Sequence, residues 1–139
     1  MAIQQLSVFI ENRPGQLANI VKLIADAGIN LRAMSIAESA EFGILRLIVS
    51  DTDKAKEILS GEAIVKTNDV VAVRMPDAQG ALYTILTVLD KAAVNVEYSY
   101  AFTAPKNGGA YVVFRVDDAA SAEKILAEKG FLMMDASAL

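Results

Sequence analysis

Residues Ser7 to Ile36, SVFIENRPGQLANIVKLIADAGINLRAMSI, read as a strand, a tight Pro-Gly turn, one amphipathic helix and a second strand. Leu6, Val8 and Ile10 alternate with Ser7, Phe9 and Glu11, the period of a strand with two different faces. Asn12 suits the helix N-cap, Pro14 its first turn, and Gly15 permits close approach of a ligand or another backbone. Leu17, Ile20, Val21 and Ile24 fall at i, i+3, i+4 and i+7, one apolar stripe on a helix. Gly28 takes the C′ place after that helix, and Ile29-Asn30-Leu31 opens the next strand.

Working outward, Ser39 to Gly43 reads as a turn and Ile44 to Val49 as a central strand covered on both faces. Ser50-Asp51-Thr52-Asp53 is an acidic helix start, matched to the positive end of the helix dipole. Ala55, Ile58 and Leu59 give that helix its buried face, and Gly61 ends it. Ala63 to Val65 and Val70 to Met75 read as two further strands, joined by the polar Lys66-Thr67-Asn68-Asp69.

The pattern then begins again. Gly80-Ala81-Leu82 repeats Gly15-Gln16-Leu17, and 80 − 15 = 65. Asn95 repeats Asn30 at the same offset, and Leu82, Ile85, Leu86 and Leu89 repeat the helical stripe. Ile125-Leu126 repeats Ile58-Leu59 with 125 − 58 = 67, which places two extra residues in a hairpin loop over Thr103 to Gly109. Gly130 mirrors Gly61, and Phe131 to Asp135 reads as a last strand. Internal repetition of a strand-helix-strand-strand-helix-strand unit, with right-handed crossovers, predicts an α+β fold. The expectation is two ferredoxin-like βαββαβ sandwiches in tandem, residues 1–69 and 70–139, with antiparallel sheets and helices on one face. The bare face of each sheet, carrying Phe9 in one unit and Tyr98, Tyr100 and Phe102 in the other, should be covered by a partner unit.

Composition narrows the chemistry. Hydrophobic residues make up 54% of the 139, the mean hydropathy is +0.37, and the net charge is −4. An acidic chain is a poor partner for nucleic acid, which needs clustered Lys and Arg. With no Cys and no His, a disulfide, a thiol nucleophile and His-based catalysis are excluded. No cofactor or metal is expected. No apolar run approaches the roughly 18 residues of a spanning helix, and the start shows no leader pattern, so a cytoplasmic protein with no membrane partner is expected.

The opening segment resembles that of an ACT domain, the small ligand-sensing module attached to many amino-acid-metabolism enzymes. The family signature is Asp, one residue, Pro-Gly, one residue, Leu, then a helix closing in Gly-hydrophobic-Asn-hydrophobic. Asn12, Arg13, Pro14, Gly15, Gln16, Leu17 and then Gly28, Ile29, Asn30, Leu31 stand in those places, with Asn12 where Asp is common. The second copy, Asp77, Ala78, Gln79, Gly80, Ala81, Leu82 and Asn95, keeps the Asp but has Gln79 for the Pro and Ala93 for the later Gly. The resemblance implies a free amino acid gripped by this turn and the Asn-bearing strand at the interface between two units. It also implies a homodimer and an enzyme partner in trans.

The residues themselves leave plainer roles open. Asn12 and Asp77 suit helix caps, the two Gly suit close helix packing, and Asn30 and Asn95 suit backbone satisfaction at a strand entry. A helix N-terminus is nonetheless a ready carboxylate site, with Asp77 able to meet an ammonium and Arg13 a carboxylate. Among competing classes, a regulatory subunit similar to the acetolactate synthase small subunit fits the first half, whereas the second half repeats the first. Catalysis lacks a base outside Asp51, Asp53, Asp117 and Asp118, which read as helix starts. RNA recognition on the same topology needs a basic sheet.

Overall fold

The structure is a computed structural model that describes residues 2–104 and 109–135. Its elements run β1 (Ile3–Glu11), α1 (Gln16–Asp26), β2 (Leu31–Glu38), β3 (Phe42–Val49), α2 (Thr52–Leu59), β4 (Ile64–Met75), α3 (Ala81–Lys91), β5 (Val96–Ala104), β6 (Gly109–Val116) and α4 (Ala119–Glu128). Two compact units form, one over residues 4–68 and the other over 69–135 with 2–3. This is the tandem ferredoxin-like architecture that the repeat predicts. Neighbouring strands are ordered β2-β3-β1-β4 in the first unit and β4-β6-β5 in the second. β1 runs antiparallel to β3, with Val8 opposite Leu45, and β4 antiparallel to β6, with Val73 opposite Val112.

The alternation of β1 works as a core device. Leu6, Val8 and Ile10 join Leu45, Leu47 and Val49 of β3 under Ile20 and Ile24 of α1 and Ala55 and Leu59 of α2. Val71 and Val73, with Val112, Phe114 and Val116, meet Ile85, Leu89, Ala122 and Leu126 in the same way in the second unit. Each Leu, Ile or Val so buried is worth about 1.5–3 kcal/mol relative to exposure. The strands are buried on their other side too: Gln5, Ser7 and Ile48 are all under a tenth exposed. The buried polar pair is satisfied, since Gln5 Nε2 donates to Ser7 Oγ, which donates to Asn68 Oδ1 at 2.8 Å.

The repeat extends to single hydrogen bonds. Asp51 and Asp118, 67 apart, each cap a helix by accepting from the backbone N–H three residues on, both at 3.1 Å. After α1, Gly28 N–H donates to Ala25 O and Ile29 N–H to Ile24 O; after α3, Ala93 N–H donates to Asp90 O and Val94 N–H to Leu89 O. Both pairs are the bonding of a left-handed helix cap. Gly28 (φ 72°) adopts that conformation freely, whereas Ala93 is held there at φ 57° against the clash of its Cβ.

Three expectations need correction. The polar run Lys66 to Asp69 does not break the chain: Ile64–Met75 is one twelve-residue strand. It contains no Gly or Pro, and its polar groups find partners: Asn68 accepts from Ser7, and the Asp69 carbonyl accepts from Arg115 Nη1 at 2.8 Å. The last strand shrinks to a bridge between Val73 and Met133, flanked by Arg74 N–H to Leu132 O and Met134 N–H to Ala72 O. The loop expected over 103–109 is shorter, because Thr103 and Ala104 pair with Ala110 and Gly109; 105–108 lie outside the described residues. Tyr98, Tyr100 and Phe102 are half-buried, with Phe102 stacked on Tyr111 at 5.7 Å.

The strained cap yields a direct prediction. Ala93→Gly relieves a left-handed non-glycine residue in a preserved cap, so the variant should unfold about 1 kcal/mol harder in a urea titration. Gly28→Ala at the equivalent place should lose a similar amount.

Candidate functional site

The two Pro-Gly-type turns are built alike. Arg13 N–H donates to Glu11 O, Gln16 N–H to Arg13 O and Asn19 N–H to Gly15 O. Sixty-five residues on, Ala78 N–H donates to Pro76 O, Ala81 N–H to Ala78 O and Thr84 N–H to Gly80 O. Neither helix has a side-chain cap: the N-cap residues are Gly15 (φ 84°) and Gly80 (φ 78°), so Asn12 and Asp77 are not the caps their types suggested. Nothing lies within 4 Å of where a Cβ would stand at either glycine. They serve the left-handed turn rather than close packing. With no side-chain acceptor at the cap, the first-turn N–H groups of α1 and α3 present a positive helix end outward.

What surrounds the turns differs. In the first unit the polar side chains are already engaged. Arg13 Nε pairs with Glu11 Oε2 at 2.7 Å, both ends well exposed, and Asn12 Nδ2 donates to Ser39 O while its N–H donates to Glu41 O. Arg13 thus meets a carboxylate of its own unit, at the end of β1. Pro14 and Gln16 complete the turn, and Leu17, Ile29 and Leu31 serve the core of the first unit.

In the second unit, Pro76 and Ala78 replace the ion pair of Glu11 and Arg13 (76 − 11 = 78 − 13 = 65). There a cleft of about 610 Å³ opens, lined by Met75, Pro76, Asp77, Ala78, Gly80, Ala81, Leu82, Tyr83, Thr103, Gly109 and Ala110. Among the described residues that line it, Asp77 is the one acidic side chain and none is basic. Leu82 and Tyr83, on the first turn of α3, are 42% and 75% exposed. Gln79 is exposed and does not line the cleft. Thr103, at the far end of β5, escaped the sequence reading because its place is set by strand pairing with Ala110.

Asn30 and Asn95 stand apart from the turns of their own units. Each follows the C-terminal end of an eleven-residue helix whose N-terminal end carries the glycine, a separation of about 16 Å. Asn30 is tied by its backbone: its N–H donates to Ser50 Oγ and its carbonyl accepts from Ser50 N–H, both at 2.9 Å. Its exposed side-chain amide takes no part in that pairing. Among the described residues no cluster of acidic side chains has the form of a metal site, and no helix is long and apolar enough to cross a membrane.

Comparison with known proteins agrees with this geometry. The family model of the ACT domain pair matches residues 1–139. Protein BT0572 from Bacteroides thetaiotaomicron superposes with a TM-score of 0.91 at 40% identity, over 99% of this chain and 95% of that one. The ligand-free regulatory subunit of aspartate kinase from Thermus thermophilus gives 0.65 at 14% identity over 94% of each chain. A structure of aspartokinase alpha and beta subunits gives 0.63 at 18% over 90% of each. At such identities the last two share the fold. No curated protein matches the sequence.

The open space at Gly80 separates two roles for it. If the turn conformation is what matters, Gly80→Ala should cost about 1 kcal/mol in chemical denaturation, and Gly80→Asn, which tolerates positive φ, less than half of that. A packing role would make Asn the worse of the two.

Proposed function

The chain belongs to the ACT domain pair family, and on that premise we propose that it is a non-catalytic cytoplasmic sensor of a free amino acid. The cleft of the second unit carries this reading. It combines one carboxylate, Asp77, with a helix N-terminus and an apolar wall of Met75, Leu82 and Tyr83. An α-amino acid needs those two polar partners: the first-turn N–H groups for its carboxylate and Asp77 for its ammonium. The apolar wall of Met75, Leu82 and Tyr83 favours an apolar side chain on the ligand.

Binding would favour one arrangement of the chain and its partners by as much as its affinity differs between arrangements. The partners we propose are a second copy of the chain and, in trans, an enzyme of amino-acid metabolism. The regulatory subunit of aspartate kinase, which has the same fold, supplies the model for this chain's own role beside such an enzyme. In keeping with a non-catalytic role, two of the four acidic residues weighed as candidate bases, Asp51 and Asp118, are spent on helix caps.

A thermal-shift screen against the free amino acids tests the reading. An apolar amino acid at a hundredfold excess over its dissociation constant should stabilise the protein by about 2.7 kcal/mol. Asp77→Asn, at an exposed position, should leave the melting temperature without ligand unchanged and erase the shift. A flat screen would contradict the sensor reading.

A further inference from the structure

We propose that the ligand of the second-unit cleft is an aromatic amino acid, and that Tyr83 selects it by stacking on its ring. This deepens the amino-acid-sensor reading above and rests on it. The contrast that carries it lies within the chain, because the repeat gives each residue around the cleft a counterpart in the first unit. Ala78 stands in the place of Arg13, Ala81 in that of Gln16 and Thr103 in that of Glu38 (78 − 13 = 81 − 16 = 103 − 38 = 65). Strand pairing agrees with the last match, since Glu38 is opposite Gly43 and Thr103 opposite Ala110. Gly109, one residue before Ala110, stands in the place of Phe42, one before Gly43.

Four long side chains thus give way to four short ones, all lining one cleft of about 610 Å³. Packing within the unit does not ask for glycine at the start of β6. A Cβ at Gly109 would stand 3.5 Å from Arg74 Nε, an ordinary contact. The glycine instead leaves room on the cleft side for another group to come close.

One exchange runs the other way. Tyr83 takes the place of Ala18 on the first turn of the helix (83 − 18 = 65). It is 75% exposed and stands outside the core of its unit, yet it lines the cleft. Its ring therefore contributes little to folding and has a face to offer a ligand. Space for a ring, with a second ring beside it, is what an aromatic side chain fills best. Burial alone separates leucine from phenylalanine poorly, because the two side chains gain similar amounts on leaving water. Ring-on-ring contact adds to burial, by roughly 2- to 10-fold in affinity.

Isothermal titration calorimetry of the whole chain with L-phenylalanine and L-leucine reads the outcome, with circular dichroism confirming the fold of each variant. The wild type should bind phenylalanine roughly 2- to 10-fold tighter than leucine. Tyr83→Ala, at an exposed position, should weaken phenylalanine more than leucine and erase the preference, and Tyr83→Phe should keep it. Leucine bound as tightly as phenylalanine by the wild type overturns the inference and leaves the sensor reading standing. So does a preference that survives Tyr83→Ala or is lost in Tyr83→Phe. Binding of neither probe also overturns it, and the screen against all the free amino acids then decides the sensor reading separately.

Discussion

Each unit depends on one burial: the apolar face of an antiparallel sheet against two helices. Leu45 and Leu47 are fully shielded under Ile20 and Leu59, as Val112 and Phe114 are under Ile85 and Leu126. A strand with period two presents its face only in one register, and a helix with an i, i+3, i+4, i+7 stripe only in one rotation. Once both are fixed, the turn before the helix and the cap behind it have little freedom left. That explains why the two units repeat individual backbone hydrogen bonds where their side chains have diverged, and why Ala93 is forced into a glycine conformation.

The same constraint separates the scaffold from the site. The turn geometry is common to both units, so the turn cannot by itself say where a ligand binds. The side chains carried on that frame differ between the two turns. Glu11, Arg13 and Asn12 occupy the first turn with their own ion pair and hydrogen bonds. Pro76 and Ala78 withdraw that pairing from the second turn and leave Asp77 beside a cleft. The first turn thus has its polar side chains engaged with one another and with the backbone, and the second carries a cleft.

Much of the frame was legible in the sequence. The 65-residue offset located both turns, both first helices and the core residues, because burial enforces periodicity that survives divergence. The continuity of β4 was not legible: Lys66 to Asp69 looks like a break until the long-range partners of Asn68 and the Asp69 carbonyl are known. The cap roles given to Asn12 and Asp77 failed for a local reason, since a left-handed glycine moved the helix start to Gly15 and Gly80. Thr103 and Ala110 enter the cleft through β5–β6 register, which sits outside any short window of sequence. Asn30 and Asn95 lie a helix length from the turn of their own unit, as the sequence pattern of turn, helix and Asn-bearing strand requires.

The central claim is that the second turn, with Asp77 and the start of α3, holds an α-amino acid. Titrating a ¹⁵N-labelled sample of the whole chain with apolar amino acids, and following its amide NMR resonances, tests this residue by residue. The account predicts saturable shifts concentrated at Asp77, Leu82, Tyr83, Thr103 and Ala110, with the turn at Asn12 to Gly15 left nearly unmoved. Saturable shifts centred on the first turn, or a spectrum unchanged by every amino acid, would contradict it.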